Sequence, residues 1–271
     1  MHPSHPALKM HWYPSMKPSN STALSVNLNK IALIRNSRPG NYPCVVSHGE
    51  TCINAGADGL TVHPRPDQRH IRPQDVYGLS ELVRGHPGIE FNIEGNPYAE
   101  SLGNFPGFIK LVRDVRPHQC TLVPDSNDQL TSDHGFNLTI AGKKLQPLIR
   151  ELQDLGVRVS LFMDPDIEQI SLAKDLGADR IELYTGPYAE AYKHQDGNFQ
   201  ALFQTYIDAA NHARQINIGL NAGHDLNLEN LAHFRQVPAL LEVSIGHALI
   251  VDAIAMGLPA TVQAYKNLCA I

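Results

Sequence analysis

Short apolar runs of five to seven residues recur eight times along the chain, and most are rich in β-branched side chains. Such a run, bounded by turn-forming residues, predicts a buried strand. The eight predicted strands are LSVNL (24–28), GLTVH (59–63), IEFNIE (89–94), CTLVPD (120–125), RVSLFMD (158–164), RIELYT (180–185), IGLNAG (218–223) and LEVSIGH (241–247).

Helical periodicity marks the segments between these runs, as in residues 168–178 and 199–216. In the second segment, apolar residues three and four positions apart share one face. They are Leu202, Phe203, Tyr206, Ile207, Ala210 and Ala213. Strands that alternate with helices form parallel βαβ units, and eight units in about 250 residues match a closed barrel. The pattern predicts one α/β domain over residues 23–271, a (β/α)8 TIM barrel.

Two local patterns bear on this fold. A doubly wound dinucleotide-binding sheet needs a glycine-rich turn after its first strand, and NKIALIRNSRPG (29–40) has no G-x-G-x-x-G. Gly56, Gly156 and Gly177 each follow a predicted helix and precede a strand. Glycine adopts the left-handed conformation that ends a helix at no steric cost, so these positions predict helix-to-strand turns.

The remaining composition narrows the class of protein. The formal net charge is −5, which provides no general basic field and disfavours nucleic-acid binding. No apolar run reaches the roughly 20 residues that span a bilayer, which disfavours a membrane protein. Residues 1–22 are polar and proline-bearing, and we expect a flexible N-terminal extension. The four cysteines lack a disulfide or C-x-x-C spacing, so we expect reduced thiols and a cytoplasmic location.

Polar and ionisable residues stand at the ends of all eight predicted strands. In a (β/α)8 barrel these carboxyl ends meet at one face, where the active site forms. The pattern therefore predicts a polar pocket with acid–base capacity. The residues concerned are Asn27, Asn29, Lys30, His63, Arg65, Glu94, Asp125, Asp164, Glu182, Thr185, Asn221, His224 and His247.

Several of these residues also have a structural interpretation. A histidine after a strand is often a hydrogen-bonded loop residue, and Glu94 could cap the next helix. Glu182 could pair with Arg180 on the outside of the barrel. However, alternation places Arg180, Glu182 and Tyr184 on one face of their strand and apolar residues on the other. The outer face packs beneath helices, so we expect Glu182 to point into the pocket.

Anion binding is expected in two places. Gly223 and Gly246 precede histidines in the loops after the seventh and eighth strands, which form the recurrent phosphate site of this fold. A second, basic cluster occupies the first two loops. It comprises Arg35, Arg38, Arg65, Arg69 and His70. Two anion sites beside one acid–base pocket predict two phosphorylated substrates or one bisphosphate.

A catalytic metal is the competing interpretation of so many histidines. Metal-dependent barrels usually carry H-x-H on a strand or H-E-x-x-H on a helix, and neither motif is present. The sequence therefore favours a pocket without a metal.

Eight blocks follow one another across residues 23–269: SVNLNKIALIRNSRPG, AGADGLTVHPRPDQRHI, FNIEGNP, TLVPDSNDQLTSDHG, VSLFMDPDIEQI, IELYTGPYA, LNAGHDL and EVSIGHALI. In this order they resemble the pyridoxine 5′-phosphate synthase family of vitamin B6 biosynthesis. The family resemblance implies a (β/α)8 barrel assembled as an octamer built from dimers. It also implies condensation of 1-deoxy-D-xylulose 5-phosphate with 3-amino-2-oxopropyl phosphate to pyridoxine 5′-phosphate, phosphate and water, without a metal or organic cofactor.

The resemblance also implies roles for single residues. His63 and Glu94 match the proton acceptors, His224 matches the proton donor, and Glu182 matches a glutamate that stabilises charge in the transition state. The remaining matches are substrate-binding residues. They are Asn27, Arg38, Gly246 and His247 for the aminoketone phosphate, and Arg65, His70 and Thr131 for the deoxyxylulose phosphate. The loop PDSNDQLTSDHGFN (124–137) resembles the family's lid, which closes to exclude water.

The chain departs from the family pattern at three positions. Asn29 and Lys30 stand where many members have Asp-His, and Asp225 stands where the motif often has glycine. We include all three among the expected substrate-binding residues. Lys30 could donate to a substrate hydroxyl or phosphate as a point charge, whereas Asp225 puts a carboxylate beside the expected phosphate site.

Two other functions stay open at the level of sequence. The chain could be another phosphosugar lyase or epimerase, although a Schiff-base aldolase would need a lysine on an inward strand position and the strands offer none. It could also be an inactive barrel that only binds a phosphorylated ligand. A pure binding protein has no need of paired acid and base groups, which favours an enzyme.

Overall fold

Eight parallel strands close into a barrel in the order β1 to β8 in the computed structural model, which describes residues 21–126, 128–195 and 197–270. This confirms the predicted (β/α)8 architecture. The strands are β1 Ala23–Asn27, β2 Gly59–Val62, β3 Glu90–Gly95, β4 Gln119–Leu122, β5 Arg158–Met163, β6 Arg180–Tyr184, β7 Gly219–Gly223 and β8 Leu240–Ile245.

Helices connect successive strands around the outside of the barrel. They are α1 Asn29–Asn36, α2 Val45–Asn54, α3 Pro73–Arg84, α4 Phe108–Val115, α5 Leu138–Asp154, α6 Ile167–Asp175, α7 Gly186–His194, α8 Phe199–Gln215, α9 Asn230–Phe234, α10 His247–Met256 and α11 Leu258–Ala270. In α8 the predicted apolar face packs inward, with Phe203, Tyr206, Ala210 and Ala213 buried.

The strands alternate between an apolar and a polar face. Leu24 and Val26 in β1, like Ile181 and Leu183 in β6, are fully buried in the hydrophobic core. The strand positions between these apolar residues are largely polar, and most of their side chains are also buried. Their hydrogen bonds show whether they point into the barrel or toward the helices. Since hydrogen bonds between strands that are not neighbours must cross the interior, these polar side chains line the inside of the barrel.

Four examples of such hydrogen bonds illustrate the polar interior. Gln119 in β4 donates to Glu242 in β8 at 3.3 Å. The other three join β7 to β4, β4 to β6 and β8 to β3. They are Asn221 Nδ2 to Gln119 Oε1, Thr121 Oγ1 to Glu182 Oε2 and Ser244 Oγ to Glu94 Oε1. The interior is thus built of mutually hydrogen-bonded polar groups, which satisfies groups that would be costly to bury alone.

Three predicted helix-to-strand turns have the expected backbone. Gly56, Gly156 and Gly177 have φ angles of 104°, 82° and 93°, a region that L side chains rarely adopt. The chain therefore reverses direction from helix to strand without backbone strain at these points.

The predicted extension at residues 1–22 falls mostly outside the described residues. Thr22, at its end, joins the base of the barrel: its backbone N–H donates to Cys269 O and its hydroxyl donates to Leu240 O, both at 3.0 Å. Across the part of the chain that the structure describes, no helix is long and apolar enough to cross a membrane.

Candidate active site

His63, Glu94, Glu182 and His224 stand at the carboxyl end of the barrel, as their positions in the strands predict. His63 follows β2, Glu94 lies near the end of β3, Glu182 lies in β6 and His224 follows β7. Parallel strands bring these ends together although the residues lie far apart in sequence.

His63 lies between two carboxylates. Its Nδ1 is 3.9 Å from Glu94 Oε2, and its Nε2 is 3.3 Å from Asp125 Oδ2. The backbone N–H of His63 donates to Asn29 Oδ1 at 2.9 Å, which holds the end of β2 against the start of α1. Burial, together with the charges of Arg65 and Arg69, lowers the pKa of His63 to about 3. The neutral imidazole that results is able to accept a proton.

The pKa of Glu94 is shifted upward, in the opposite direction to that of His63. Burial raises its pKa, the charges of Glu242 and Asp125 add to the shift, and a hydrogen bond from Ser244 opposes it. Asn27 Nδ2 also donates to Glu94 Oε2 at 3.3 Å. A carboxyl group whose pKa is moved toward neutrality can hold and release a proton near physiological pH.

Glu182 points into the barrel, as the alternation in β6 predicts. It is 3 % exposed and accepts a hydrogen bond from Thr121 Oγ1 at 3.4 Å. Burial raises its pKa well above the usual range, and the nearby charges of Glu94 and Glu242 act in the same direction. Gly223 makes room for this carboxylate, because a Cβ at that position would overlap Glu182 Oε1.

His224 contacts the lid and the residue that follows it. Its Nε2 is 2.9 Å from Thr131 Oγ1, and its Nδ1 is 2.8 Å from Asp225 Oδ2. The ring of Tyr184 packs edge-on against it with centroids 5.2 Å apart. His224 therefore connects the end of β7 to the loop after β4.

Residues of the loop after β2 hold the lid in place. The described part of the lid is residues 124–126 and 128–137. Arg65 forms an ion pair with Asp125 and donates to Gln129 O at 3.0 Å. Arg69 Nη1 donates to Gln129 O at 2.8 Å. The basic groups assigned from sequence to a phosphate site thus bind lid backbone and an acidic side chain here.

Asp125 was expected in the polar pocket, but without a specific catalytic or binding role. Its Oδ2 contacts both His63 and Arg65 and accepts from Ser132 Oγ at 3.1 Å. The available signal was its place at the end of the fourth predicted strand. Its partners lie about 60 residues earlier in the chain, so no local pattern could have identified them.

The loop after β1 has a structural as well as a predicted binding role. Asn27 Oδ1 accepts from the backbone N–H of Asn29 at 3.0 Å, while Asn29 Oδ1 accepts from His63. Gly246 packs closely on Asn27, since a Cβ there would lie 3.1 Å from Asn27 Cβ. His247 begins α10, whose N-terminus faces the same end of the barrel. The predicted binding residues Asn27, Asn29, Gly246 and His247 are therefore grouped around the start of α1 and α10.

Arg35 does not belong to the predicted anion-binding cluster, so that part of the prediction is wrong. It lies in α1 with a fully buried side chain, and its Nη1 is 2.5 Å from Asp75 Oδ1 in α3. Its Nη2 also donates to His70 O at 2.9 Å. A buried arginine that is saturated by protein acceptors is not available to a phosphate. By contrast, Arg38 follows α1 and is exposed, so burial does not prevent it from binding a phosphate.

His70 remains close to the site. Its ring centroid lies 6.3 Å from that of His63, and its Nδ1 accepts from the backbone N–H of Ile71 at 3.0 Å. Burial, with the charges of His63 and Arg65 next, lowers the pKa of His70 to about 3. Its Nε2 is then the nitrogen that can carry the proton and donate to an anion.

Two competing chemistries can be compared with this geometry. The eight strands of the described barrel contain no lysine, so no strand presents the amine that a Schiff-base aldolase requires. Within residues 21–126, 128–195 and 197–270, no group of three or more His, Cys, Asp or Glu side chains is arranged to hold a metal ion.

The fold and the site together define a TIM-barrel protein with an acid–base pocket at the carboxyl ends of its strands. A family model described as "Pyridoxal phosphate biosynthesis protein PdxJ" matches residues 24–270. The chain belongs to this PdxJ family, as the sequence resemblance indicated.

Curated relatives agree with this assignment. A protein of Xanthomonas campestris pv. campestris named pyridoxine 5′-phosphate synthase is 56 % identical over 251 residues, which cover 92 % of this chain and 97 % of that protein. A protein of the same name from Xylella fastidiosa is 52 % identical, with 92 % and 95 % coverage.

Solved structures are similar in fold at much lower identity. The tryptophan synthase alpha chain of Legionella pneumophila superimposes with a TM-score of 0.61 at 13 % identity, covering 92 % of each chain. A thiamine phosphate pyrophosphorylase of Pyrococcus furiosus has a TM-score of 0.54 at 10 % identity, covering 92 % of this chain and 95 % of that one. At such identities the similarity shows the barrel fold alone.

Proposed function

We propose that the chain is a pyridoxine 5′-phosphate synthase, which condenses 1-deoxy-D-xylulose 5-phosphate with 3-amino-2-oxopropyl phosphate. The products are pyridoxine 5′-phosphate, inorganic phosphate and water. Family membership supports this activity, and one observation carries it at the level of chemistry: the neutral His63 lies between the carboxylates of Glu94 and Asp125 at the barrel mouth. The curated relatives favour this activity over another phosphosugar lyase or an inactive binding barrel.

The reaction needs groups that accept and release protons at several steps. The amine and ketone form an imine with loss of water, phosphate leaves, and an aldol-type ring closure is followed by dehydration. His63 accepts a proton at its neutral ring, and the Asp125 carboxylate 3.3 Å from its Nε2 stabilises the imidazolium that forms. Burial raises the pKa of Glu94 to about 8, so at neutral pH its ionised fraction accepts a proton in one step and its protonated form returns one in another.

His224 and Glu182 act on charges that develop during the condensation. His224 donates a proton from Nε2 to a substrate oxygen that leaves as water. Glu182 offsets the positive charge of the iminium carbon–nitrogen bond. A buried carboxyl with a raised pKa ionises more readily when a cation forms beside it, so its stabilising effect is strongest at that stage.

Substrate binding brings the two reactants into register. Arg65, His70 and Thr131 hold the phosphate of the deoxyxylulose phosphate, and its anionic oxygens replace part of the contact between Arg65 and the lid. The aminoketone phosphate binds at the start of α10. Its residues are Asn27, Arg38, Gly246 and His247, with Asn29 and Lys30 beside them. Holding both phosphates makes a bimolecular condensation effectively local.

The proposed partners are small phosphorylated substrates, and the chain works in the cytoplasm as a homo-octamer built from dimers. The catalytic domain is assigned to residues 23–271. Light scattering of the purified protein tests the octamer, which predicts a mass eight times that of the 29.9 kDa chain.

Replacing the proposed bases tests the activity. His63→Asn and Glu94→Gln should each lower turnover by roughly 100-fold or more, since each removes a group that moves a proton. The measurement incubates each variant with both substrates and quantifies pyridoxine 5′-phosphate by mass spectrometry.

The exposed pair Glu190 and His194 on α7 provides matched controls, because Glu190→Gln and His194→Asn make the same chemical changes outside the barrel mouth. Both should retain full turnover. Product formation near the normal rate by a folded His63→Asn or Glu94→Gln variant would exclude the assigned base.

A further inference from the structure

Asp225 occupies a backbone conformation that disfavours any side chain. His224 and Asp225 have φ angles of 84° and 59°, in the left-handed region that glycine adopts readily and other residues rarely do. Two contacts hold this turn: Thr185 Oγ1 donates to His224 O, and Asn230 Nδ2 donates to Asp225 O at 3.1 Å. A side chain kept at this position against its conformational preference calls for an explanation from its contacts.

Among the residues that the structure describes, the Asp225 carboxylate has one hydrogen-bonding partner, the ring of His224. Asp225 Oδ2 lies 2.8 Å from Nδ1, while Nε2 on the opposite side of the ring lies 2.9 Å from Thr131 Oγ1. An ionised carboxylate can only accept hydrogen bonds, so Nδ1 must carry a hydrogen. In the neutral ring Nε2 then has the free electron pair and accepts from the Thr131 hydroxyl.

The charges around Asp225 favour its ionised form. The hydrogen bond from His224 lowers the pKa of Asp225, burial opposes this effect, and the charges of His224, His247 and Lys30 lower it further. An ionised carboxylate repels phosphate oxygens. Asp225 is therefore poorly suited to the direct substrate contact that the sequence resemblance suggested for this position.

We propose that Asp225 is a positioning residue for His224, which selects the Nδ1–H tautomer and turns Nε2 toward the barrel mouth. The proposal rests on the proposed function, because it assigns the proton donated by His224 to one nitrogen. When the imidazolium gives its Nε2 proton to a substrate oxygen, the ring returns to the Nδ1–H form that Asp225 accepts from. The carboxylate also stabilises the imidazolium that precedes this transfer.

The tautomer of His224 can be observed directly by nuclear magnetic resonance. In protein labelled with ¹⁵N-histidine, two-bond correlations between ring nitrogens and ring C–H hydrogens distinguish a protonated from an unprotonated nitrogen. The signals of His224 are assigned as those that disappear in a His224→Gln variant. The full-length wild-type protein should show Nδ1 protonated and Nε2 unprotonated. In Asp225→Gly the signals should move toward the Nε2–H tautomer, because the acceptor for Nδ1–H has been removed.

Kinetics and stability complete the test. Asp225→Gly should lower kcat by roughly 10- to 100-fold with a change in KM below about 3-fold, the pattern expected for lost orientation of a donor. Its melting temperature should be unchanged or higher, since glycine accepts the positive φ without strain. Glu190→Gln, which removes a carboxylate from an exposed histidine, should leave the His224 signals and kcat unaltered.

The outcomes separate the positioning role from the proposed activity. An unchanged His224 tautomer in Asp225→Gly, unchanged kcat, or a loss of kcat that follows a loss of stability would each overturn the role of Asp225. A wild-type protein that forms no pyridoxine 5′-phosphate would instead overturn the proposed function, while the tautomer measurement would remain valid.

Discussion

Single residues at the barrel mouth owe their properties to their immediate neighbours. His63 Nδ1 and Glu94 Oε2 lie 3.9 Å apart. The pKa of His63 is lowered to about 3 and that of Glu94 is raised to about 8, so both groups are mainly neutral between these values. Burial is the main cause in each case, because a low-dielectric environment disfavours whichever form carries charge. Near neutral pH the pocket therefore holds Glu94 mainly as a neutral acid beside His63 as a neutral base.

Gly223 leaves the space that the Glu182 carboxylate occupies, because glycine has no side chain. A Cβ at this position would overlap Glu182 Oε1 and lie 3.3 Å from Ser244 O. Gly223→Ala should therefore displace the Glu182 carboxylate, lower turnover about 10-fold or more and lower the free energy of unfolding by about 1–3 kcal/mol. Steady-state kinetics and urea denaturation measure the two effects.

Gly197→Ala is the matched control, since nothing lies within 4 Å of its added Cβ. It should leave both quantities unchanged. Full turnover in Gly223→Ala would mean that the position of Glu182 is not important for the reaction.

At the scale of elements, buried polar contacts join helices and loops that hydrophobic packing alone would not orient. Arg35 in α1 is paired with Asp75 in α3, and Asp75 Oδ2 also accepts from the backbone N–H of Arg72 at the start of that helix. These contacts fix the loop that carries His70 beside the pocket. The loop after β2 is therefore held by a structural ion pair on one side and by the lid on the other.

Asp75→Asn should destabilise the protein strongly. It leaves the buried Arg35 guanidinium without its counter-charge, and breaking a buried pair in this way costs about 3–5 kcal/mol. Substrate KM should rise at most a few-fold at temperatures where the variant is folded, because Arg35 does not bind the substrate and acts only through the loop that carries His70. Thermal unfolding and steady-state kinetics test these two expectations.

Glu81→Gln breaks an exposed ion pair with Arg84 in the same helix and serves as the control. No measurable loss of stability is expected from it, because exposed pairs contribute little. If Asp75→Asn raised KM many-fold without destabilising the fold, Arg35 would have to be counted among the anion-binding residues after all.

At the scale of the whole molecule, the barrel interior is polar rather than hydrocarbon. Glu94, Glu182 and Glu242 are buried together, and burial raises the pKa of each. The apolar faces of the same strands form the hydrophobic core beneath the helices instead. The fold therefore obtains its stability from the layer between strands and helices and carries its chemistry inside the barrel.

This arrangement makes stability depend on pH in a defined direction. The unfolded chain releases the proton of Glu182 near the ordinary pKa of 4.5, whereas the folded chain retains it to higher pH. The unfolded state is thus favoured as pH rises through this window, and the free energy of unfolding falls. Glu182→Gln should therefore stabilise the protein relative to wild type at pH 9 more than at pH 5, by about 1.4 kcal/mol for each unit of pKa displacement.

Urea denaturation of both proteins at the two pH values measures this difference. Glu90→Gln should behave oppositely: burial raises the pKa of Glu90, but the hydrogen bond and charge of Arg158 outweigh it and lower the pKa. Removing that carboxylate should cost more stability at high pH. An equal gain for Glu182→Gln at pH 5 and pH 9 would contradict a buried, protonated carboxyl.

Much of the fold and part of the site could be predicted from local patterns. Each predicted strand overlaps an observed one, because apolar runs and turn residues act over a few neighbours. The inward orientation of Glu182 followed from simple alternation in β6. The prediction for Arg35 failed because it assumed that basic residues near one loop share one role, whereas its position in α1 buries it against a carboxylate 40 residues away.

The sequence by itself determined the alternation of strands and helices, the polar ends of the strands and the family of the chain, since all of these are encoded in short-range order. Tertiary structure alone decided which side chains meet: Asp125 with His63 and Arg65, Thr131 with His224, and Asp225 with one nitrogen of that ring. The physical reason is that barrel closure brings distant segments within hydrogen-bonding distance. Burial in that closed interior then sets the protonation states, and neither effect is present in any short stretch of the chain.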